Sequence, residues 1–186
     1  MGSRSELPLS EASTLVAFWR AAGREKWFTK DAGFDAEFRT RFWDAHMAAA
    51  ARRCDDWMRT SEGALALLLL LDQYPRNSFR GTAHMYATDP LGVFFARQAL
   101  EAGLDRQAEP DLRAFFYMPF MHSEALADQE LCVKLFEEMG GPSVAHAVEH
   151  RDVVARFGRF PHRNSMFGRE TTPQEAEFLA EGGFSG

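Results

Sequence analysis

Three short, proline-containing segments hold most of the residues in this chain that could do chemistry. They read Leu71-Asp-Gln-Tyr-Pro-Arg-Asn-Ser-Phe-Arg-Gly-Thr82, Tyr117-Met-Pro-Phe-Met-His-Ser-Glu124 and Arg156-Phe-Gly-Arg-Phe-Pro-His-Arg-Asn164. Each sets Arg, His, Asp, Glu or Asn among aromatic side chains. Polar groups in such surroundings are costly unless they satisfy one another or meet a ligand. The first and third segments also echo each other: Tyr74-Pro-Arg-Asn77 precedes Phe79-Arg-Gly81, and Phe160-Pro-His-Arg-Asn164 precedes Phe167-Gly-Arg169.

Asp72 follows an apolar run, at the C-terminal end of a helix, where the macrodipole disfavours an anion. It needs a cation, and Arg76, Arg159 and Arg163 are the candidates. Either Asp72 and Arg76 pin a loop to a helix end, or Asp72 acts directly in a site. Segment 156–169 carries Arg156, Arg159, Arg163 and Arg169 and no acidic residue. Fork-shaped donors in surplus suit a carboxylate or phosphate. With them, Arg76, Asn77, Arg80, His150 and Asn164 complete the candidate ligand-binding set. Amides at the start of a helix capped by Ser123 would add donors. The alternative is that carbonyls and Asp72, Glu124 or Asp152 satisfy the arginines.

For catalysis the candidates are His122 and His162 as general base, with Asp72 or Glu124 as carboxylate. His122 and Glu124 are no local dyad, because residues two apart on a helix do not face each other. Ser123 is better used as a cap than as a nucleophile. His146-Ala-Val-Glu-His150 matches a zinc-hydrolase pattern, but the short chain beyond it offers only His162 or carboxylates as third ligand. No metal and no cofactor are expected.

The 186 residues suit one domain, spanning 1–186, large enough to bury roughly 70% of its unfolded surface. With 27 acidic against 21 basic residues the net charge is −6, which argues against nucleic acid or an anionic membrane as partner. Cys54 and Cys132 match no metal or redox spacing and suit buried positions in a reducing cytosol. The N-terminus lacks the apolar core of a secretory signal. The longest apolar run, 64–71, falls far short of the ~20 residues a bilayer needs. The expectation is a soluble cytoplasmic protein, with flexible residues 1–9 and a short tail at 182–186.

The elements that must hold these segments are helices throughout. Ser10 and Gly23 bound a first helix over 10–22; apolar spacing predicts a second over about 34–58. Ser61 opens a third, expected to end before Pro75. Asp89-Pro90 opens a fourth running to Gly103. Ser123 opens one reaching about Met139, and Pro142-Ser143 the next, stopped by Gly158. Thr172-Pro-Gln-Glu175 is a capping box for a last helix over 173–181. Residues 64–71 are apolar all round, the mark of an enclosed helix. Helix 143–157 has only a narrow polar wedge (Glu149, Asp152 and Arg156), so it too is expected to be central. The fold class is all-α, an array of antiparallel helices.

The same residues resemble a mostly bacterial family known as domain of unknown function 924. The matching pieces are Lys26-Trp-Phe28, Asp31, Phe34-Asp35, Leu71 to Asn77, Phe79 to Thr82, Asp89, Tyr117 to Glu124, Gln129, His150, Arg156 to Asn164 and Gly168-Arg169. The resemblance implies an all-helical fold similar to tetratricopeptide-repeat proteins; it implies no activity. Three functions compete. The first is a binding module whose polar pocket takes a small anion or a peptide end. The second is a hydrolase-type enzyme built on the histidine and carboxylate candidates. The third is a structural network that locks the loops together while the working surface lies elsewhere.

Overall fold

The computed structural model describes residues 7–184. They contain helices and turns and no strand, so the chain is all-α. Among them no helix is long and apolar enough to cross a membrane. The chain divides into two compact units. Residues up to Arg80 with His84–Phe116 form the first, and Gly81–Ala83 with Tyr117 onward form the second.

The first unit holds α1 (Leu9–Trp27), α2 (Ala32–Ala50), α3 (Ser61–Leu68), α4 (Tyr74–Ser78), α5 (Asp89–Glu101) and the start of α6 (Pro110–Met121). Gly23 kinks α1 with φ 73° instead of ending it. Asp31 caps α2 by accepting from the amides of Gly33 and Phe34, and this holds its carboxyl below the usual range. That helix stops at Ala50, short of the expected 58, where Arg52 turns left-handed (φ 58°). Between them, α1 and α2 stack Phe18, Trp19, Phe34, Phe38 and Phe42 into an aromatic core. Thr60, not Ser61, caps α3. Gly63 is required there, because a Cβ would be driven into the Trp57 carbonyl oxygen.

The apolar run is enclosed as its composition demands: every residue from Gly63 to Tyr74 is buried. Pro75 does not end it. The chain widens into a π-turn over Leu69–Gln73 and continues as α4. Tyr74 donates to Leu69 O, five residues back, which frees Leu70 O, and Pro75 has no amide to offer Leu71 O. Side chains take over both: His46 Nδ1 donates to Leu70 O at 2.9 Å and Thr88 Oγ1 to Leu71 O at 2.6 Å. No buried carbonyl at the bulge is abandoned, so the proline costs little here.

The second unit holds the end of α6, α7 (Leu126–Met139), α8 (Ser143–Phe157) and α9 (Pro173–Ala180). The turn Gly140-Gly141-Pro142 reverses the chain, with φ 75° and 95° at its glycines, and makes α7 and α8 an antiparallel hairpin. Gly158 ends α8 in the left-handed region, and the Thr172/Glu175 capping box opens α9 as expected. The expectation that α8 is central fails. Only Ala147, Val153 and Val154 of α8 are buried; the rest of the helix is partly or fully exposed, so its polar wedge is wider than the sequence suggested.

Both cysteines are buried, which pushes the thiol of Cys54 up to about 11 and that of Cys132 up to about 12. Of the expected flexible segment 1–9, residues 1–6 lie outside the described residues. Leu7 is tied, its carbonyl accepting from Trp57 Nε1 at 3.1 Å. Of the expected tail 182–186, residues 185–186 lie outside; Gly183 N donates to Phe178 O at 2.9 Å, and the Phe184 ring lies 4.3 Å from that of His150.

Candidate functional site

In the first unit the candidate residues form two ion clusters. Arg76 is clamped between carboxylates: Asp89 takes it in a bidentate pair (2.8 and 2.9 Å), and Asp72 Oδ1 lies 3.1 Å from Nη1. The same Nη1 donates to Asp72 O at 2.9 Å, and Gln73 Nε2 donates to Asp72 Oδ2 at 2.6 Å. Burial opposes the charge on Arg76, but Asp72 and Asp89 overcome it and hold the guanidinium above its ordinary value. The cation that Asp72 needs therefore comes from its own segment. Asn77 and Arg80 converge on Asp35: Nδ2 of Asn77 donates at 2.7 Å and Nε of Arg80 at 2.9 Å. Asp35 lies in the first turn of α2, so this cluster ties α4 to α2.

In the second unit Glu124 accepts twice from Arg169 (2.7 and 2.9 Å) and once from Phe160 N at 2.8 Å. Burial would raise its pKa, but Arg169 and the Phe160 amide outweigh this and lower it. Glu175, on α9, grips Arg159 with both oxygens at 2.6 and 2.8 Å and also accepts from Thr172 N and Asn164 Nδ2. The Arg159 bond leads in pulling the Glu175 carboxyl down to about 2. Arg163 donates to His122 O at 3.0 Å and lies over the Phe160 ring at 4.4 Å. Ser123 does not cap α7, which begins after Ala125; its hydroxyl donates to buried Asp128 at 2.6 Å. An acidic side chain thus already occupies the helix start that was expected to offer amides to an anion.

Two of the histidines, His150 and His162, gather around Phe160 and Phe184. His150 lies 5.8 Å from Phe160 and 6.2 Å from His122, ring centre to ring centre, and His162 lies 5.4 Å from Phe184. His150 Nδ1 donates to His146 O at 2.7 Å, so Nε2 carries the lone pair. Burial, with smaller contributions from His122 and Arg163, depresses His150 to about 3 and keeps the imidazole neutral. Among the described residues no three His, Cys, Asp or Glu side chains are grouped to hold a metal.

A cleft of about 460 Å³ opens in the second unit between α8 and the chain from α9 to Phe184. Its walls include Val148, Val153, Phe157, Phe178 and Phe184, with Glu149, Asp152 and Arg156 among them. Arg156 lies over Phe157 at 4.7 Å and Phe178 at 5.5 Å. Its spacing from Asp152 is right for an ion pair, yet Asp152 bonds Arg151 at 2.7 Å instead. Among the described residues Arg156 has no carboxylate partner, and the Glu149 side chain has no hydrogen bond or ion pair. None of the ligand-binding candidates chosen from the sequence lines this cleft. The signal that could have found it is the polar wedge of α8, Glu149, Asp152 and Arg156.

A model of the family described as "Bacterial protein of unknown function (DUF924)" matches residues 15–183. The chain is similar to the solved structure of a protein of unknown function from Agrobacterium tumefaciens. The two are 56% identical with a TM-score of 0.91, over 92% of this chain and 98% of that one. No curated protein matches.

Proposed function

Because this chain belongs to the bacterial family of unknown function DUF924, which brings no activity with it, we propose a function from the geometry alone. The protein is a helical binding module. Its arginine-rich motifs lock loops within each unit, and its ligand, a small anion with an apolar body, enters the cleft beside α8 and meets Arg156. The observation that carries this reading is the contrast between the arginines. Arg76, Arg80, Arg159 and Arg169 each have a carboxylate within 3.0 Å, whereas Arg156 sits on two aromatic faces in an open cleft without one. A guanidinium stacked on rings has its hydrogen-bonding edges free for a carboxylate or phosphate. The cleft's volume is within the range of small-molecule sites. A scaffold like that of tetratricopeptide repeats is part of the reading, and the α7–α8 hairpin supports it.

The test is titration with 3-phenylpropionate, followed by amide chemical shifts of α8 and α9. Binding should be saturable, should weaken with added salt, and should be lost in Arg156→Gln, whose fold is spared because Arg156 is exposed. Equal binding by Arg156→Gln, or shift changes confined to the first unit, would refute it.

A further inference from the structure

The cleft has a second charged feature that a simple anion would leave unused or oppose. Glu149 and Asp152 share the wall with Arg156. A pure anion seated on Arg156 would feel two nearby carboxylates, the unpaired Glu149 more than Asp152, which Arg151 partly offsets, in a chain of net charge −6. A ligand with a positive group at its other end would turn the same carboxylates to advantage. Charge complementarity along α8 therefore selects a zwitterion.

The spacing of these groups limits the ligand's length. On a helix rising about 1.5 Å per residue, Asp152 and Arg156 are roughly 6 Å apart along the axis and Glu149 and Arg156 roughly 10 Å. A free amino acid holds its ammonium and carboxylate on one carbon and cannot reach both. Two extended residues span about 7 Å, since each adds no more than ~3.6 Å, and a hydrogen bond of about 3 Å from the ammonium carries the reach to Glu149. The half-buried rings of Phe157, Phe178 and Phe184, packed on Val153 and Phe160, offer apolar surface between the charged ends. An apolar side chain laid there loses its contact with water, and aromatic faces also favour a nearby ammonium.

We propose that the cleft binds a short apolar peptide by both ends, its carboxylate on Arg156 and its ammonium on Glu149 and Asp152. This rests on the cleft being the binding site, and it goes further by naming the ligand class. The probes are the dipeptide Leu-Phe, its N-acetyl form, its C-terminal amide and free phenylalanine, each titrated by NMR to about 10 mM, a range that covers millimolar dissociation constants.

Leu-Phe should bind tightest, with each capped form weaker by about threefold or more, the loss expected for one exposed ion pair, and with free phenylalanine weaker still. Arg156→Gln should weaken Leu-Phe and leave its amide unchanged. Glu149→Gln with Asp152→Asn should weaken Leu-Phe and leave the N-acetyl form unchanged or improved. If N-acetyl-Leu-Phe binds as tightly as Leu-Phe, the peptide proposal is overturned while the anion reading stands. If no probe shifts any resonance of α8 or α9, both are overturned.

Discussion

Replacing Arg76 by Met should be among the most damaging single changes in the first unit. The substitution keeps much of the buried aliphatic stem and removes the guanidinium. It strips the cation from Asp72 and Asp89, whose side chains are only 2% and 11% exposed, and uncaps the Asp72 carbonyl. Breaking a buried pair from one side costs about 3–5 kcal/mol. Two carboxylates are left here, so the loss should reach the upper part of that range. Asp72→Ala should cost less, about 2–3 kcal/mol: Arg76 keeps its bidentate hold on Asp89 and its bond to the residue-72 carbonyl, while one carboxylate is lost beside it and the Gln73 amide loses an acceptor. The four tryptophans, Trp19, Trp27, Trp43 and Trp57, all belong to the first unit. Tryptophan emission during urea unfolding at neutral pH therefore reads that unit directly. The double variant Arg76→Met with Asp89→Asn should be less unstable than the two single losses added together, by at least about 1 kcal/mol. Strict additivity, or a loss under about 1 kcal/mol for Arg76→Met, would mean that the triad is not the lock described above.

Two further outcomes concern the second unit. Because the folded Glu175 carboxyl sits near 2 against an ordinary 4.5, its stabilisation is fully present above pH 4.5 and disappears as the pH falls towards 2. The full shift would correspond to about 3 kcal/mol, and screening at Arg159, which is 27% exposed, reduces this to about 1–2 kcal/mol. Glu175→Gln should lose that amount at neutral pH in urea unfolding followed by circular dichroism, and the deficit should fade in acid; a deficit unchanged near pH 2 would contradict the pairing. His150, depressed to about 3, should keep the spectrum of a neutral imidazole with hydrogen on Nδ1 down to about pH 5, measured by ¹⁵N-edited NMR. Its burial should subtract stability as the pH falls below 6.5, where the unfolded chain takes up the proton first. A midpoint at or above pH 6 would show that the ring is solvated.

The parts of the fold legible in the sequence are those decided by near neighbours. Gly140, Gly141 and Gly158 end helices because the turns there need positive φ, and Thr172 and Glu175 satisfy each other's amides three residues apart. The all-apolar run before Asp72 could only be enclosed. Where the reading failed, the deciding partner came from elsewhere in the chain. Pro75 passes through a continuous helix because His46 and Thr88, 24 and 17 residues from the carbonyls they take, stand in for backbone amides. No local rule about proline contains that information.

Counting charges in the candidate segment is limited for the same reason, and the pairing shows where to look for function. Segment 156–169 contains four arginines and no acid, so its charge count suggested an anion site. The acids that answer Arg159 and Arg169 are Glu175, 16 residues further on, and Glu124, 45 residues back. A surplus within a window measures how far away the counterions lie in sequence, not whether they are missing. The useful quantity is the charge that folding leaves without an opposite. Among the charged residues that line the cleft, that criterion selects Arg156 and Glu149, two members of a wedge that looks like ordinary solvated helix surface. They become distinctive only when Phe178 and Phe184 return from α9 and the chain beyond it to wall the cleft. Paired residues in the motifs explain why the loops hold their shape; the unpaired ones beside them are where a ligand would be felt.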